Sequence, residues 1–223
     1  MPGLHASNAT VIATGAGRFG SALRFAKKQA PVVFFQAEKN FAYATNRWNG
    51  SVSFWLQTDP ATELDKGFCD PIQITPRAWN DAAFFVEFEK RETIPFRLGV
   101  YADFKTWNPA NRKWEEIPAA DKPLLTVAQP PFRAGKWTHV VFTFENFNTG
   151  HADGIAKLYL DGEFQAAIPA RTQTFTWDIK NTAAMLGLSY LGLFDELSFF
   201  NRALSAAEVR SLHALPDGVR SLR

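Results

Sequence analysis

Three tryptophans set beside amides and carboxylates mark the interval from Asp59 to Pro131: Trp79-Asn80-Asp81, Trp107-Asn108 with Asn111, and Trp114. A flat indole face flanked by hydrogen-bonding side chains suits a ring that carries hydroxyl groups. The apolar face of such a ring stacks on the aromatic while its polar edge finds donors and acceptors. Trp79, Trp107, Asn108, Asn111 and Trp114 are therefore the candidate ligand-binding residues. The same tryptophans would also serve as small cores folded under long loops at the edge of a domain, and residue type alone leaves both readings open.

The acids give less. Glu87-Phe88-Glu89 sets two carboxyl groups at i, i+2, on one face of a strand. Retaining glycoside hydrolysis takes two such groups about 5–5.5 Å apart. No third acid follows and Lys90-Arg91 come next, so the pair reads as the solvated side of an amphipathic strand with Phe88 opposite. Asp195 and Glu196 are adjacent and fall on opposite faces. His5, His139, His151 and His213 are scattered without metal-ligand spacing, and His139, beside Trp137, reads as packed or hydrogen-bonded. The one cysteine, Cys69, has no base near it in sequence and reads as a small, partly buried residue. No nucleophile elbow, H-E-x-x-H or phosphate-binding glycine loop occurs. No catalytic residue is assigned.

These residues must be held by the remainder of 223 residues, in which 21 Phe and 7 Trp stand against 4 Tyr. Phe and Trp favour pleated, half-buried surfaces. The net charge is +2, with no clustered basic face, which argues against a nucleic-acid partner. No apolar run reaches the roughly 18 residues of a membrane span. The first 17 residues lack a charged start and an apolar stretch, so no signal peptide is expected in them.

Period-2 runs bounded by turn residues recur from end to end: Ser21–Phe25, Val32–Phe35, Ser51–Gln57, Ala83–Phe88, Phe96–Tyr101, Lys136–Phe144, Ile155–Leu160, Glu163–Ala167 and Leu193–Phe200. Phe25, Phe54, Phe88, Phe142, Phe144 and Phe164 recur in them as inner-face residues. In the last run Phe194, Glu196, Ser198 and Phe200 alternate against Leu193, Asp195, Leu197 and Phe199. Asp161-Gly162 predicts a two-residue hairpin turn. Helical signals appear only near the end, where Ser205-Ala206-Ala207-Glu208 is a capping box with Leu204 and Val209 placed as its hydrophobic staple.

Three of these stretches together resemble the laminin G-like members of the concanavalin A-like lectin/glucanase superfamily: SVSFWLQ (51–57), GKWTHVVFTF with GIAKLYLDGE (135–144 and 154–163), and LGLFDELSFFNRALSAAEVRSLH (191–213). GRFGSALRF (17–25) is similar to the family's opening. The resemblance implies two stacked sheets, one concave and one convex. The alternating strands give the same class on their own: an all-β, two-sheet antiparallel jelly-roll sandwich with one short C-terminal helix. Residues 1–223 read as one domain with its core at 17–213, and 59–131 as long decorated rim loops through which strands run.

The resemblance implies a non-catalytic recognition module, first of all carbohydrate-binding, in a larger exported and hence extracytoplasmic protein. The glucanase pattern Glu-x-Asp-x-x-Glu is absent. The alternatives are a structural or protein–protein interaction domain whose partner is an extracellular protein, and a glycoside hydrolase with unrecognised carboxylates. The resemblance also implies Ca²⁺ anchored at Asp195. Against this stands a reading in which Asp195 caps a turn or pairs with Arg18 or Arg202. Trp55, which faces away from Val52, Phe54 and Leu56, stands either in sheet packing or on the concave face where ligands of such folds sit.

Overall fold

The computed structural model describes residues 10–28 and 33–222. They form β1 (Thr10–Gly17), β2 (Gly20–Phe25), β3 (Val33–Gln36), β4 (Trp48–Gln57), β5 (Gly67–Thr75), β6 (Ala83–Lys90), β7 (Phe96–Tyr101), the single-turn helix α1 (Phe104–Trp107), β8 (Leu124–Val127), β9 (Trp137–Phe147), β10 (Gly154–Leu160), β11 (Glu163–Arg171), β12 (Ala183–Leu188), β13 (Gly192–Phe200) and helix α2 (Ala206–His213). Seven strands pair in the order β1-β2-β13-β4-β9-β10-β11 and six in the order β3-β12-β5-β6-β7-β8. Neighbours in both sheets run antiparallel. The expected two-sheet sandwich with a short C-terminal helix is the fold. Val32, the expected start of the third strand, lies outside the described residues.

Alternation explains the core. Val52, Phe54 and Leu56 of β4 and Val140, Phe142 and Phe144 of β9 are buried in one cluster with Phe84, Val86 and Phe88 of β6. Phe84 lies 5.9 Å from Phe142 and 5.1 Å from Phe144, ring to ring, so the two sheets are sewn together by aromatic contacts. Removing one such ring costs about 3–5 kcal/mol. Trp177 lies in the connection between β11 and β12. It packs on Trp48 at 4.8 Å and donates its indole N–H to the Ala82 carbonyl at 2.7 Å.

Two bulges override strict alternation. In β13 the register shifts between Asp195 and Ser198, and Glu196 takes φ 53. The expected grouping of Phe194 with Phe200 is therefore corrected: Phe194 and Phe199 turn to the main core, and Phe200 packs against the cluster beneath α2. The shift between β10 and β11 pairs Phe164 with Tyr159 and leaves Phe164 53% exposed, not on an inner face.

Asp161 and Gly162 adopt φ 51 and 83 between the paired Leu160 and Glu163, the left-handed pair that matches strand twist in a tight hairpin. Ser205 accepts the Glu208 amide while Glu208 accepts the Ser205 amide at 2.8 Å. Leu204, Val209 and Leu212 then seat the C-terminal segment on Val141 and Tyr159, the outer face of the seven-stranded sheet. On that face Ser53, Trp55 and His139 are buried, and His213 of α2 stacks on Trp55 at 5.3 Å. Trp55 is therefore a packing residue under the helix.

The interval 59–131 holds more than rim loops with a strand pair. It supplies β5, β6, β7 and β8, consecutive neighbours in the six-stranded sheet. On the outer face of those strands Trp107 of α1 and Trp114 pack against Ala83, Phe85 and Tyr101, and that face carries the site.

Candidate functional site

Cross-strand register lays the outward side chains of β5, β6 and β7 in rows. Cys69 pairs with Phe88 and Ile72 with Val86, so Asp70 and Pro71 together stand opposite the single residue Glu87. This is a bulge, and Pro71, which has no N–H to give a ladder, suits it. Cys69 and Ile72 go into the core, while Asp70 opens outward beside Glu87. Glu87 in turn pairs with Arg97 on β7. The result is a row of acid, acid and base across three strands.

Arg97 serves both glutamates. Its Nη2 bonds Glu87 Oε1 and its Nη1 bonds Glu89 Oε2 at 2.5 Å, while Arg91 Nε reaches Glu89 Oε1 at 2.6 Å. The Arg97 guanidinium also lies 5.2 Å over the Phe68 ring. Asp70 has no side-chain hydrogen bond or ion pair among the described residues. Loss of water and the facing Glu87 carboxylate push its pKa up to about 8, with Arg97 opposing. Burial likewise raises Glu87 against the pull of Arg97. Like charges directly opposite on a sheet are destabilising, so a pair of neighbouring acids with one shared cation is an electrostatic cost that packing does not explain.

Beyond this row the floor becomes aromatic. Phe85 pairs with Gly99, and its ring fills the space that a side chain at 99 would occupy. Tyr101 stacks on Phe85 at 5.5 Å and 23°, with Trp79 edge-on to Tyr101 at 5.5 Å and Trp114 near-parallel to Tyr101 at 6.5 Å. Acid row and aromatic wall enclose a cleft of about 550 Å³. The loops that carry the wall are tied down. Arg77 bonds Asp81 at 3.1 Å and Asp103 at 3.2 Å, and Asp81 accepts the Phe104 amide at 2.8 Å.

Of the five residues expected to bind ligand, Trp79 and Trp114 line the cleft. Trp107 stands behind them, edge-on to Tyr101 at 5.1 Å, with its indole N–H on the Asn80 carbonyl at 2.9 Å. Asn108 is buried and clasps its own loop, accepting from the Arg112 amide and donating to the Arg112 carbonyl, each at 2.9 Å. Asn111 holds φ 49 at the tip of that loop. The structure thus brings two of the five to the cleft and sets the other three to supporting them.

The expectation that Glu87 and Glu89 form a solvated strand side is corrected: Glu87 is 6% exposed, because Arg97 on the next strand and the cleft walls close over it. Asp70, Phe85, Arg97 and Tyr101 were not anticipated as site residues. The alternation Arg97-x-Gly99-x-Tyr101 opposite Phe85-x-Glu87-x-Glu89 was the signal available for them.

A laminin G family model, described as the concanavalin A-like lectin/glucanases superfamily, matches residues 47–210. The chain belongs to that superfamily. Among solved structures this laminin G-like domain is similar to domain 4 of AbnA, a GH43 extracellular arabinanase from Geobacillus stearothermophilus, in complex with arabinotriose. The identity is 18% and the TM-score 0.52, over 90% of this chain and 80% of that one. It is also similar to the botulinum neurotoxin type G receptor binding domain (13% identity, TM-score 0.53, 94% of this chain and 45% of that one). The botulinum neurotoxin serotype D binding domain is a further match (14%, 0.55, 92% and 46%). The chain spans less than half the length of those toxin structures. At these identities the likeness is one of fold. No curated protein matches the chain in sequence.

Membership in the laminin G-like group raises the question of calcium at Asp195. Asp195 Oδ2 accepts the Phe19 amide at 3.1 Å and Oδ1 accepts the Glu196 amide at 2.8 Å, and the Arg18 amide also bonds the carboxylate. Its lone pairs are thus turned towards N–H donors of the β1–β2 turn and the β13 bulge. Among the described residues no group of three or more His, Cys, Asp or Glu side chains is placed to hold an ion. Ca²⁺ takes six to eight oxygens, backbone carbonyls among them, and the Asp195 carboxylate is here engaged by amide donors. No helix among the described residues is long and apolar enough to cross a membrane.

Proposed function

We propose that this laminin G-like domain is a non-catalytic recognition module of an exported protein and that it binds carbohydrate in the cleft on the outer face of β5, β6 and β7. The observation that carries the reading is the cleft itself: about 550 Å³, floored by Phe85 and Tyr101 beside carboxyl and guanidinium groups and walled by Trp79 and Trp114. Sugars are held by this combination, an aromatic face for the apolar side of the ring and planar hydrogen-bonding groups for its hydroxyls. The fold relative solved with arabinotriose supports the reading as an example of a sandwich of this kind bound to a sugar.

Recognition is favoured over hydrolysis by how the strand carboxylates are spent. Retaining hydrolysis needs one carboxylate free to attack and a second to donate a proton. Of the three strand carboxyl groups in the cleft, Glu87 and Glu89 both bind the Arg97 guanidinium, which leaves Asp70 without a second free carboxylate beside it. The test is a glycan array probed with the intact protein and with Trp79→Ala and Trp114→Ala. Binding that those substitutions abolish, with unchanged melting temperature, upholds the reading. An array blank at high protein concentration shifts the function to protein–protein interaction, and release of reducing sugar from any bound glycan overturns the non-catalytic assignment.

A further inference from the structure

The cleft holds more acids than bases. Asp70, Glu87 and Glu89 bring three carboxyl groups to its lining, while the cations there are Arg97 and Arg91, the latter with its side chain 68% exposed. Lys90, the next basic residue along β6, is turned away, its Nζ held by the carbonyls of Ala61 and Leu64 at 2.5 and 2.7 Å. On the other flank of β5 stand Leu188 and Ser189, which carry no charge. The bulge therefore aims into the cleft one acid, Asp70, that has no ion pair of its own among the described residues, Arg97 being held by Glu87 and Glu89.

The rest of the lining is suited to the opposite sign. Aromatic faces attract cations through their quadrupole, and this face of the protein already uses that attraction. Arg97 and Arg91 lie 5.2 and 5.8 Å over Phe68, and Lys122 lies 4.4 Å over Trp114. Among the described residues, Phe85 and Tyr101, on the floor next to the acid row, have no such cation.

Building on the carbohydrate reading above, we propose that the glycan recognised in the cleft carries a protonated amine, as an unacetylated hexosamine does, and that this amine sits against the Asp70 and Glu87 carboxyl groups beside the aromatic wall. A sugar ammonium group supplies the cation that Asp70 lacks when ionised and up to three N–H donors, and its ring supplies a face for Tyr101 and Trp79. N-acetylation removes that charge and adds bulk at the same atom. Because Asp70 holds a proton at neutral pH in the free domain, held there by burial and Glu87 against the pull of Arg97, seating the ammonium ionises it. The proton passes to buffer.

The experiment is an array carrying amine-bearing hexosamine oligomers beside their N-acetylated and neutral counterparts in each linkage. Calorimetry of the best amine-bearing oligomer follows, at pH 6.5 in two buffers of different ionisation enthalpy. The expected result is a preference of at least about tenfold for the amine form, since a charge-assisted bond exceeds a neutral one by about 1.4 kcal/mol. Binding should also release a proton. Asp70→Asn should equalise the two forms and abolish the release. That variant keeps the shape and, like the protonated Asp70, carries no charge, so its melting temperature near neutrality should not fall. Equal or tighter binding of acetylated or neutral sugars, lost in Trp79→Ala, overturns the amine while leaving the carbohydrate reading in place. An array on which nothing binds overturns both.

Discussion

Phe85 lies over the bare Cα of Gly99, so closely that a Cβ there would stand 2.2 Å from the ring. Gly99 is not among the residues with positive φ, so the requirement is for space and not for an unusual backbone. Gly99→Ala should therefore lift Phe85 off the sheet and break its stack with Tyr101. A cost of about 1–3 kcal/mol is expected from the overpacking, read by urea denaturation, with a loss of near-ultraviolet circular dichroism. An unchanged signal would mean that the ring has another place to go.

The three loop tryptophans should separate into two kinds. Trp79 is 53% exposed, so Trp79→Ala should leave stability within about 0.5 kcal/mol while weakening any cleft ligand. Trp107 is wedged against Tyr101 with its N–H bonded, so Trp107→Ala should cost about 3–5 kcal/mol and lower binding only by disturbing the wall. Thermal melts alongside calorimetry distinguish the two, and equal destabilisation by both substitutions would contradict the assignment.

Asp195 should behave as a fastener. Asp195→Ala removes the acceptor for the Phe19, Glu196 and Arg18 amides, which join the β1–β2 turn to the β13 bulge. Charge-assisted bonds of this sort contribute about 1.5–3 kcal/mol each in favourable cases. A drop in melting temperature is expected with or without calcium. A calcium-dependent rise in the parent protein that Asp195→Asn abolishes would restore the metal reading.

The half-buried Asp70 and the buried His139 contribute to the pH dependence of stability in opposite directions. Asp70 titrates near 8 in the folded domain against 3.8 ordinarily, so between those values the native state keeps a proton that the unfolded chain has lost, and stability falls as pH rises. His139 is pushed down to about 3, first by burial and then by His213. The unfolded chain takes up a proton below about 6.5 that native His139 refuses, so stability falls as pH drops. Between pH 6.5 and 8 only the Asp70 effect of this pair operates. Urea denaturation across that window should show a decline of up to about 1.4 kcal/mol per pH unit, reduced by whatever water the carboxyl keeps. Asp70→Asn should flatten it, and an equal slope in both proteins would place the titration elsewhere.

Local chemistry was legible in the sequence wherever neighbours along the chain decide it. Asp161-Gly162 supplies both left-handed residues of its turn, and Ser205 and Glu208 need only each other. Strands such as Ser51–Gln57 announce themselves by alternation because one face meets a core. β5 and β12 do not: a Pro and a bulge interrupt the first, and AAMLGL favours no particular state until β3 and β5 pair on either side of it. The site was half visible for the same reason. Trp79 and Trp114 stand out as loop aromatics, whereas the Asp70–Glu87–Arg97 row exists only through the register of three strands, and β5 was not foreseen. Asn108 looked like a hydrogen-bonder awaiting a ligand, but its partner is four residues along its own loop.

The lone thiol of Cys69 immediately precedes Asp70 and is fully buried. Burial also raises its pKa, so little thiolate is present near neutrality. A thiol reagent can reach it only when β5 parts from its neighbours. The labelling rate of the unaltered protein is thus a built-in clock for openings of the cleft floor. A ligand bridging Asp70 and Glu87 would slow that clock in proportion to its occupancy, which makes the protein its own reporter for binding.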